Sequence, residues 1–166
     1  LDLCRYGSPP LQFHDKISAY CKEANSFLLL GSHAADVELT DDGYKVMDKY
    51  NSAFLYRPDG NQDPSRYDKI HLIPFGEYIP FKNSVSFIYD MIVKLSPYDY
   101  DYDLTKGSQY TTFEMDIDEQ KQRFGVLICY EDTDAKVARK VVIDDAGDKK
   151  ADFLVNISND GWYVRY

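Results

Sequence analysis

Apolar side chains recur through residues 11–24 at Phe13, Ile17, Tyr20, Cys21 and Ala24, with Asp15, Lys16, Lys22 and Glu23 between them. That spacing predicts an amphipathic helix with one buried face. Directly after it, Ser26-Phe27-Leu28-Leu29-Leu30-Gly31 fits a strand buried on both faces. Tyr50 to Tyr56 is a further strand candidate, closed by the turn sequence Arg57-Pro58-Asp59-Gly60. Extended structure resumes from Tyr67 to Ile73 and stops at Pro74. Val85, Ile88, Met91, Ile92 and Leu95 describe a short helix lying on a sheet. Tyr98 to Asp103 then alternates tyrosine with aspartate, which suits a solvated loop or strand edge better than a binding stripe.

Tyr110–Ile117 and Arg123–Cys129 predict a hairpin around Asp118-Glu119-Gln120-Lys121, and the nearly unbroken apolar character of the second arm makes it a central strand. A helix is expected from Asp134 to about Asp145, capped by Asp132 or Thr133. Phe153 to Ser158 is the last strand candidate, running into the turn sequence Asn159-Asp160-Gly161-Trp162. Helices alternating with buried strands give an α/β fold class, and no repeat or linker interrupts it.

Composition bounds what this pattern can build. With 166 residues, 44% of them hydrophobic, the chain can bury one core and not two, so it is one domain or part of one. Nineteen Lys+Arg against 28 Asp+Glu leave a net charge of −9 without any basic run, which argues against a nucleic-acid partner. The longest apolar stretches, Phe27–Leu30 and Phe124–Cys129, fall far short of the roughly 18 residues that span a bilayer. The chain starts at Leu1 without methionine and stops in Trp162-Tyr163-Val164-Arg165-Tyr166, and it is expected to be cut from something longer. The cysteines Cys4, Cys21 and Cys129 form no CxxC pair and the histidines His14, His33 and His71 are scattered, so neither a zinc site nor any other cofactor is expected. Cys4 and Cys21 suit a disulfide in an oxidising compartment, though two idle thiols are the simpler expectation.

The odd cysteine is the more informative one. In Phe124-Gly125-Val126-Leu127-Ile128-Cys129-Tyr130-Glu131-Asp132-Thr133 a thiol ends a buried strand where the chain must turn towards a helix. Such a turn presents a nucleophile and aims backbone N–H groups and the positive helix end at it, although a buried cysteine finishing a core strand has the same pattern. Glu131 is either an acid/base neighbour or a first-turn acid favoured by the helix dipole. A second cluster, Arg66-Tyr67-Asp68-Lys69-Ile70-His71-Leu72-Ile73-Pro74-Phe75-Gly76-Glu77-Tyr78-Ile79-Pro80, mixes charge with apolar residues and two prolines, as a rigid, partly buried loop would. Lys69 at a strand end suits oxyanion stabilisation and Glu77 suits holding its ammonium or contacting substrate, while either alone also reads as an ordinary surface charge. His71 is expected to be a satisfied structural histidine; it shares a strand face with Lys69 only if that strand is regular.

These two clusters, followed by Asn156-Ile157-Ser158-Asn159-Asp160-Gly161-Trp162-Tyr163, resemble three successive motifs of the carbon-nitrogen hydrolase (nitrilase) superfamily, and their wording is similar to its apolipoprotein N-acyltransferase branch. The resemblance implies an α-β-β-α sandwich, here a single partial domain over residues 1–166 that is incomplete at both ends. It implies a Glu-Lys-Cys triad with Cys129 as nucleophile and Lys69 as the lysine. Glu77 and Glu131 match two further acidic positions, and the Tyr130 N–H joins the lysine in the oxyanion hole. The triad's general-base glutamate has no counterpart and is expected upstream of Leu1, so the piece alone should be a poor catalyst. The implied reaction moves a phospholipid acyl chain through a cysteine thioester to the N-terminal amine of an apolipoprotein. The implied setting is the bacterial inner membrane, reached through segments outside this chain, with the catalytic domain facing the periplasm or cell exterior. A soluble nitrilase-type amidase, or a non-catalytic relative, would keep parts of the same motifs.

Overall fold

The computed structural model describes residues 8–41, 43–80 and 103–158. Helix α1 (Ser8–Ala24) opens on two prolines, tolerated in a first turn whose N–H groups lack helical partners. It ends in a Schellman arrangement: Asn25 takes a left-handed φ of 47°, its N–H reaches Lys22 O, and the Ser26 N–H reaches Cys21 O. The face carrying Ile17 and Cys21 packs against Phe54 and Tyr56, and burial pushes the free Cys21 thiol above its ordinary pKa. Cys4 lies outside the described residues, as do the helix expected over 85–95, Tyr98 to Tyr102 of the tyrosine–aspartate run and the turn at 159–162.

The strand expected at 26–31 is the start of a much longer one. β1 (Leu28–Thr40) pairs antiparallel with β2 (Gly43–Tyr56), from Leu28 opposite Tyr56 to Thr40 opposite Gly43. Neither face of its first residues is sealed, since Leu28, Leu29 and Leu30 are half-buried and Gly31 is exposed. In the middle of this hairpin Asp36 faces Asp48 and Val37 faces Val46, so Met47 is an extra residue that breaks the alternation of β2.

β3 (Gln62–Asp68) is antiparallel to β2 and lies at the sheet edge in the order β1-β2-β3, where the missing N–H of the exposed Pro64 costs no ladder bond. The extended segment expected over Tyr67 to Ile73 is therefore displaced towards the N-terminus. Lys69 N still donates to Asn51 O at 2.8 Å, but the next two amides leave the sheet for a side chain.

The second sheet has the order β4-β5-β6. β4 (Thr112–Ile117) and β5 (Gln120–Ile128) form the expected hairpin, and Asp118 and Glu119 both take positive φ, 50° and 63°, as a two-residue primed turn requires. β5 is central, as its apolar run predicts, and β6 (Phe153–Ile157) runs parallel to it. Between them a 3₁₀ turn (Cys129–Thr133) leads into helix α2 (Ala135–Val142). The cap is Asp134 and neither Asp132 nor Thr133: its carboxylate accepts from Lys136 N and Val137 N, because the 3₁₀ turn uses up the residues before it. The helix also ends at Val142, three residues short of expectation, where the chain enters a turn held by Asp144.

One core lies between the sheets, with Ala53, Leu55 and Tyr67 from the first meeting Phe113, Phe124, Val126 and Ile128 from the second. Val137 and Val141 of α2 cover the far side, so the layers run α1, sheet, sheet, α2, the expected α-β-β-α order. No helix among the described residues is long and apolar enough to cross a membrane. α2 sits directly on Gly125, where an added Cβ would come within 2.0 Å of Val141 Cγ1. Gly125→Ala is expected to lower unfolding free energy by about 1–3 kcal/mol, read as a lower urea midpoint.

Candidate active site

β5 delivers its C-terminal residue, Ile128, to the sheet end, and the chain then bends through Cys129 at a left-handed φ of 55°. A non-glycine residue pays about 1–2 kcal/mol for that conformation, so the surroundings must impose it. They do so at successive atoms. Ile128 N donates to Glu131 Oε2 at 2.8 Å, Cys129 O accepts from Asn156 Nδ2 at 3.2 Å, and Tyr130 O accepts from Thr133 Oγ1 at 2.8 Å. The thiol is half-buried and the Tyr130 ring is exposed. Asp134 takes the Lys136 and Val137 N–H groups at the start of α2, and between Cys129 and that helix lies the 3₁₀ turn.

Lys69 follows β3 and is 1% exposed. Its ammonium donates to both oxygens of Glu77, at 2.9 and 2.7 Å. Glu77 is brought back to it by a tight loop in which Gly76 N and Glu77 N reach Ile73 O, Phe75 N reaches Tyr78 O, and Phe75 takes a φ of 62°. The same carboxylate accepts from Asn51 Nδ2 at 3.1 Å and Ile73 N at 2.9 Å, so it has a fixed orientation. A strap crosses this pair: Leu104 N donates to Glu77 O, Thr105 N to Lys49 O and Gly107 N to Lys69 O. A buried ammonium held this way has little rotamer freedom left to lose when it binds an anion.

One buried carboxylate joins the lysine segment to the cysteine segment. Glu131, 0% exposed, accepts four hydrogen bonds: Ile70 N at 2.7 Å and His71 N at 2.9 Å on Oε1, and Tyr67 OH at 2.9 Å and Ile128 N at 2.8 Å on Oε2. Residues on both sides of Lys69 and the residue before Cys129 thus share one acceptor. Burial, reinforced by the Glu131 charge, pushes the Tyr67 phenol far above its ordinary pKa, which keeps it a donor. A second tie runs alongside, with His71 Nδ1 2.6 Å from Asp134 Oδ2.

The five residues singled out from the sequence therefore fall into two places: Lys69 with Glu77, and Cys129 with Tyr130, bridged by Glu131. Glu131 is a first-turn acid of the 3₁₀ turn and not of α2, and both its oxygens are filled with donors. His71 has a partner, as expected of a structural histidine, but it faces Asp134 and is off the strand that carries Lys69. Asn51, Tyr67, Asp134 and Asn156 went unread. An aspartate before Ala-Lys-Val was a legible cap, and a polar residue inside the apolar run of β6 was a legible anomaly; Asn51 and Tyr67 carried no local signal.

The His71 hydrogen bond, with the two backbone N–H donors, holds the Asp134 carboxyl below the ordinary aspartate pKa. A carboxyl depressed in the folded state adds stability above its unfolded pKa and loses it as pH falls through the folded value. Asp134→Asn, which keeps a capping side chain, is expected to flatten the fall in melting temperature below about pH 4. Thermal melts from neutral pH downward check this.

Comparison with known proteins agrees with the geometry. The chain is 33% identical over 155 residues to an apolipoprotein N-acyltransferase of Geobacter metallireducens, covering 93% of this chain and 26% of that protein. It is 32% identical to apolipoprotein N-acyltransferase 1 of Treponema pallidum, over 86% of this chain and 24% of that one. It thus spans about a quarter of the length of the curated relatives it matches. An amidase from Nesterenkonia sp. superposes with a TM-score of 0.50 at 12% identity, covering 94% of this chain and 45% of the other, which speaks to fold alone. A family model described as Carbon-nitrogen hydrolase matches residues 7–166. Sandwich, elbow and buried lysine sit on a chain that belongs to the carbon-nitrogen hydrolase family.

Proposed function

We propose that this chain supplies the Cys129 and Lys69 half of the catalytic site of an N-acyltransferase that matures bacterial lipoproteins at the inner membrane, facing the periplasm or cell exterior. The observation that carries the reading is the left-handed Cys129 joined through Glu131 to the segment that presents the buried Lys69; the names of the relatives supply the acyltransferase chemistry.

In the first step the Cys129 sulfur attacks the ester carbonyl of a phospholipid acyl chain, its proton passing to a general base that lies outside residues 1–166. Lys69 Nζ and the Tyr130 N–H stabilise the oxyanion, the C–O ester bond breaks, and lysophospholipid leaves carrying a proton. In the second step the α-amine at the N-terminus of an apolipoprotein attacks the thioester; the C–S bond breaks, the amide forms and the thiolate regains its proton. Glu77 holds Lys69 in place and Glu131 holds the two segments in register, so both act by position. Water in place of the amine would give hydrolysis.

Without a general base the chain of 166 residues is expected to acylate Cys129 about 10²- to 10⁴-fold more slowly than a full-length relative. Incubation with a p-nitrophenyl ester, followed by mass spectrometry of the Cys129 peptide, should reveal a slowly formed, hydroxylamine-labile acyl adduct that Cys129→Ala abolishes. Faster transfer of that acyl group to a cysteinyl-peptide amine than to water supports the acyltransferase reading, and the reverse order supports an amidase. An adduct only on Cys4 or Cys21 sinks both.

A further inference from the structure

β6 carries one polar side chain in an otherwise apolar run, Asn156, whose ladder partner is Leu127 of β5. Its amide nitrogen donates twice, to Cys129 O at 3.2 Å and to Asp132 Oδ2 at 2.9 Å. Both partners accept only, so the nitrogen and not the oxygen of the amide must face the elbow. Asp132 thereby fixes the side chain that fixes the Cys129 carbonyl.

The consequence lies on the other side of the same peptide. In a planar trans peptide the C=O of one residue and the N–H of the next point in opposite directions, so whatever orients Cys129 O also orients the Tyr130 N–H. The 3₁₀ turn already restrains this plane, and two side chains add to its grip: Asn156 holds the Cys129 oxygen while Thr133 Oγ1 holds the carbonyl of the following one. Donation to the carbonyl also polarises the peptide and strengthens its N–H as a donor.

We propose that Asn156 is a positioning residue, held by Asp132, that aims the Tyr130 N–H at the carbonyl oxygen of an acyl group attacked by Cys129. The assignment deepens the function proposed above and rests on Cys129 being the nucleophile. An apolar side chain at 156 would remove the side-chain hydrogen bond on the Cys129 carbonyl and loosen the peptide plane, and a carboxylate there would face two acceptors and drive that carbonyl away.

Asn156→Ala and Asn156→Asp in the full chain test this, each read in three ways. Residual dipolar couplings report the orientation of the Tyr130 N–H and, through the β5 and β6 amides, the integrity of the sheet. Acylation of Cys129 by a p-nitrophenyl ester develops an oxyanion; alkylation by iodoacetamide develops none. Both variants are expected to keep the sheet couplings, shift the Tyr130 coupling, and lose roughly 10- to 100-fold in acylation with under about threefold change in alkylation. An unchanged Tyr130 coupling, or equal losses in acylation and alkylation, overturns the proposal. Should Asn156→Asp disturb β6, the alanine variant decides. A wild-type chain that alkylates but never acylates Cys129 counts against the nucleophile assignment, and the Tyr130 coupling then still decides the role of Asn156.

Discussion

Glu131→Ala is expected to remove at least about 4 kcal/mol of stability, a large share of the roughly 5–15 kcal/mol typical of a domain. The side chain is fully buried, and its loss strands four donors, Tyr67 OH and the amides of Ile70, His71 and Ile128, in a space now lacking any acceptor. Each unsatisfied buried donor costs about 1–3 kcal/mol, and partial entry of water offsets only some of that. Glu131→Gln separates charge from geometry. It keeps one accepting oxygen but turns an NH₂ towards two donors, and should cost about 2–3 kcal/mol. Urea unfolding followed by tyrosine and tryptophan fluorescence gives both values. A loss below about 1 kcal/mol for the alanine variant would show that the carboxylate is not the link between the sheets that the four bonds describe.

Lys69→Met is expected to cost stability and chemistry together, and a second substitution should pull the two apart. Methionine fills the apolar stem of the lysine but leaves Glu77, among the described residues, with the donors Asn51 Nδ2 and Ile73 N. Breaking a buried pair from one side costs about 3–5 kcal/mol. Adding Glu77→Gln removes the orphaned charge while keeping an acceptor for Asn51, and should restore more than half of the loss. Acylation of Cys129 should stay down about 10²- to 10³-fold in both variants, since neither has the ammonium proposed to meet the oxyanion. Recovery of acylation in the double variant would remove Lys69 from the mechanism.

Local patterning exposed most of the second sheet and only parts of each strand of the first. The apolar run Phe124–Ile128 could belong only to a central strand, and its hairpin partner followed by proximity. The turn-side halves of β1 and β2 were hidden because the bulge at Met47 and the mixed polarity of these residues spoil the alternation, and β3 lies earlier than the extended segment expected from Tyr67. For the site, motif wording picked out Lys69, Glu77, Cys129, Tyr130 and Glu131, and the hold of Glu77 on the Lys69 ammonium was among the expectations, but the partners of Glu131 were not. Spacing along the chain holds no information that Glu131 accepts from Tyr67, 64 residues away, or that Glu77 accepts from Asn51, 26 residues away. Polar groups that satisfy partners across a core look like any other charge until the core exists.

Those long separations also set the order in which the molecule acquires its chemistry. The β1–β2 and β4–β5 hairpins each close over neighbouring residues, whereas the bonds of Glu131 to Ile70, His71 and Tyr67 close loops of about sixty residues and carry the corresponding entropy. Hairpins can form and dissolve many times before the sheets meet. A chain caught at that stage has the segments of Cys129 and Lys69 with no fixed relation between them, so their register is withheld until the core has closed around Glu131.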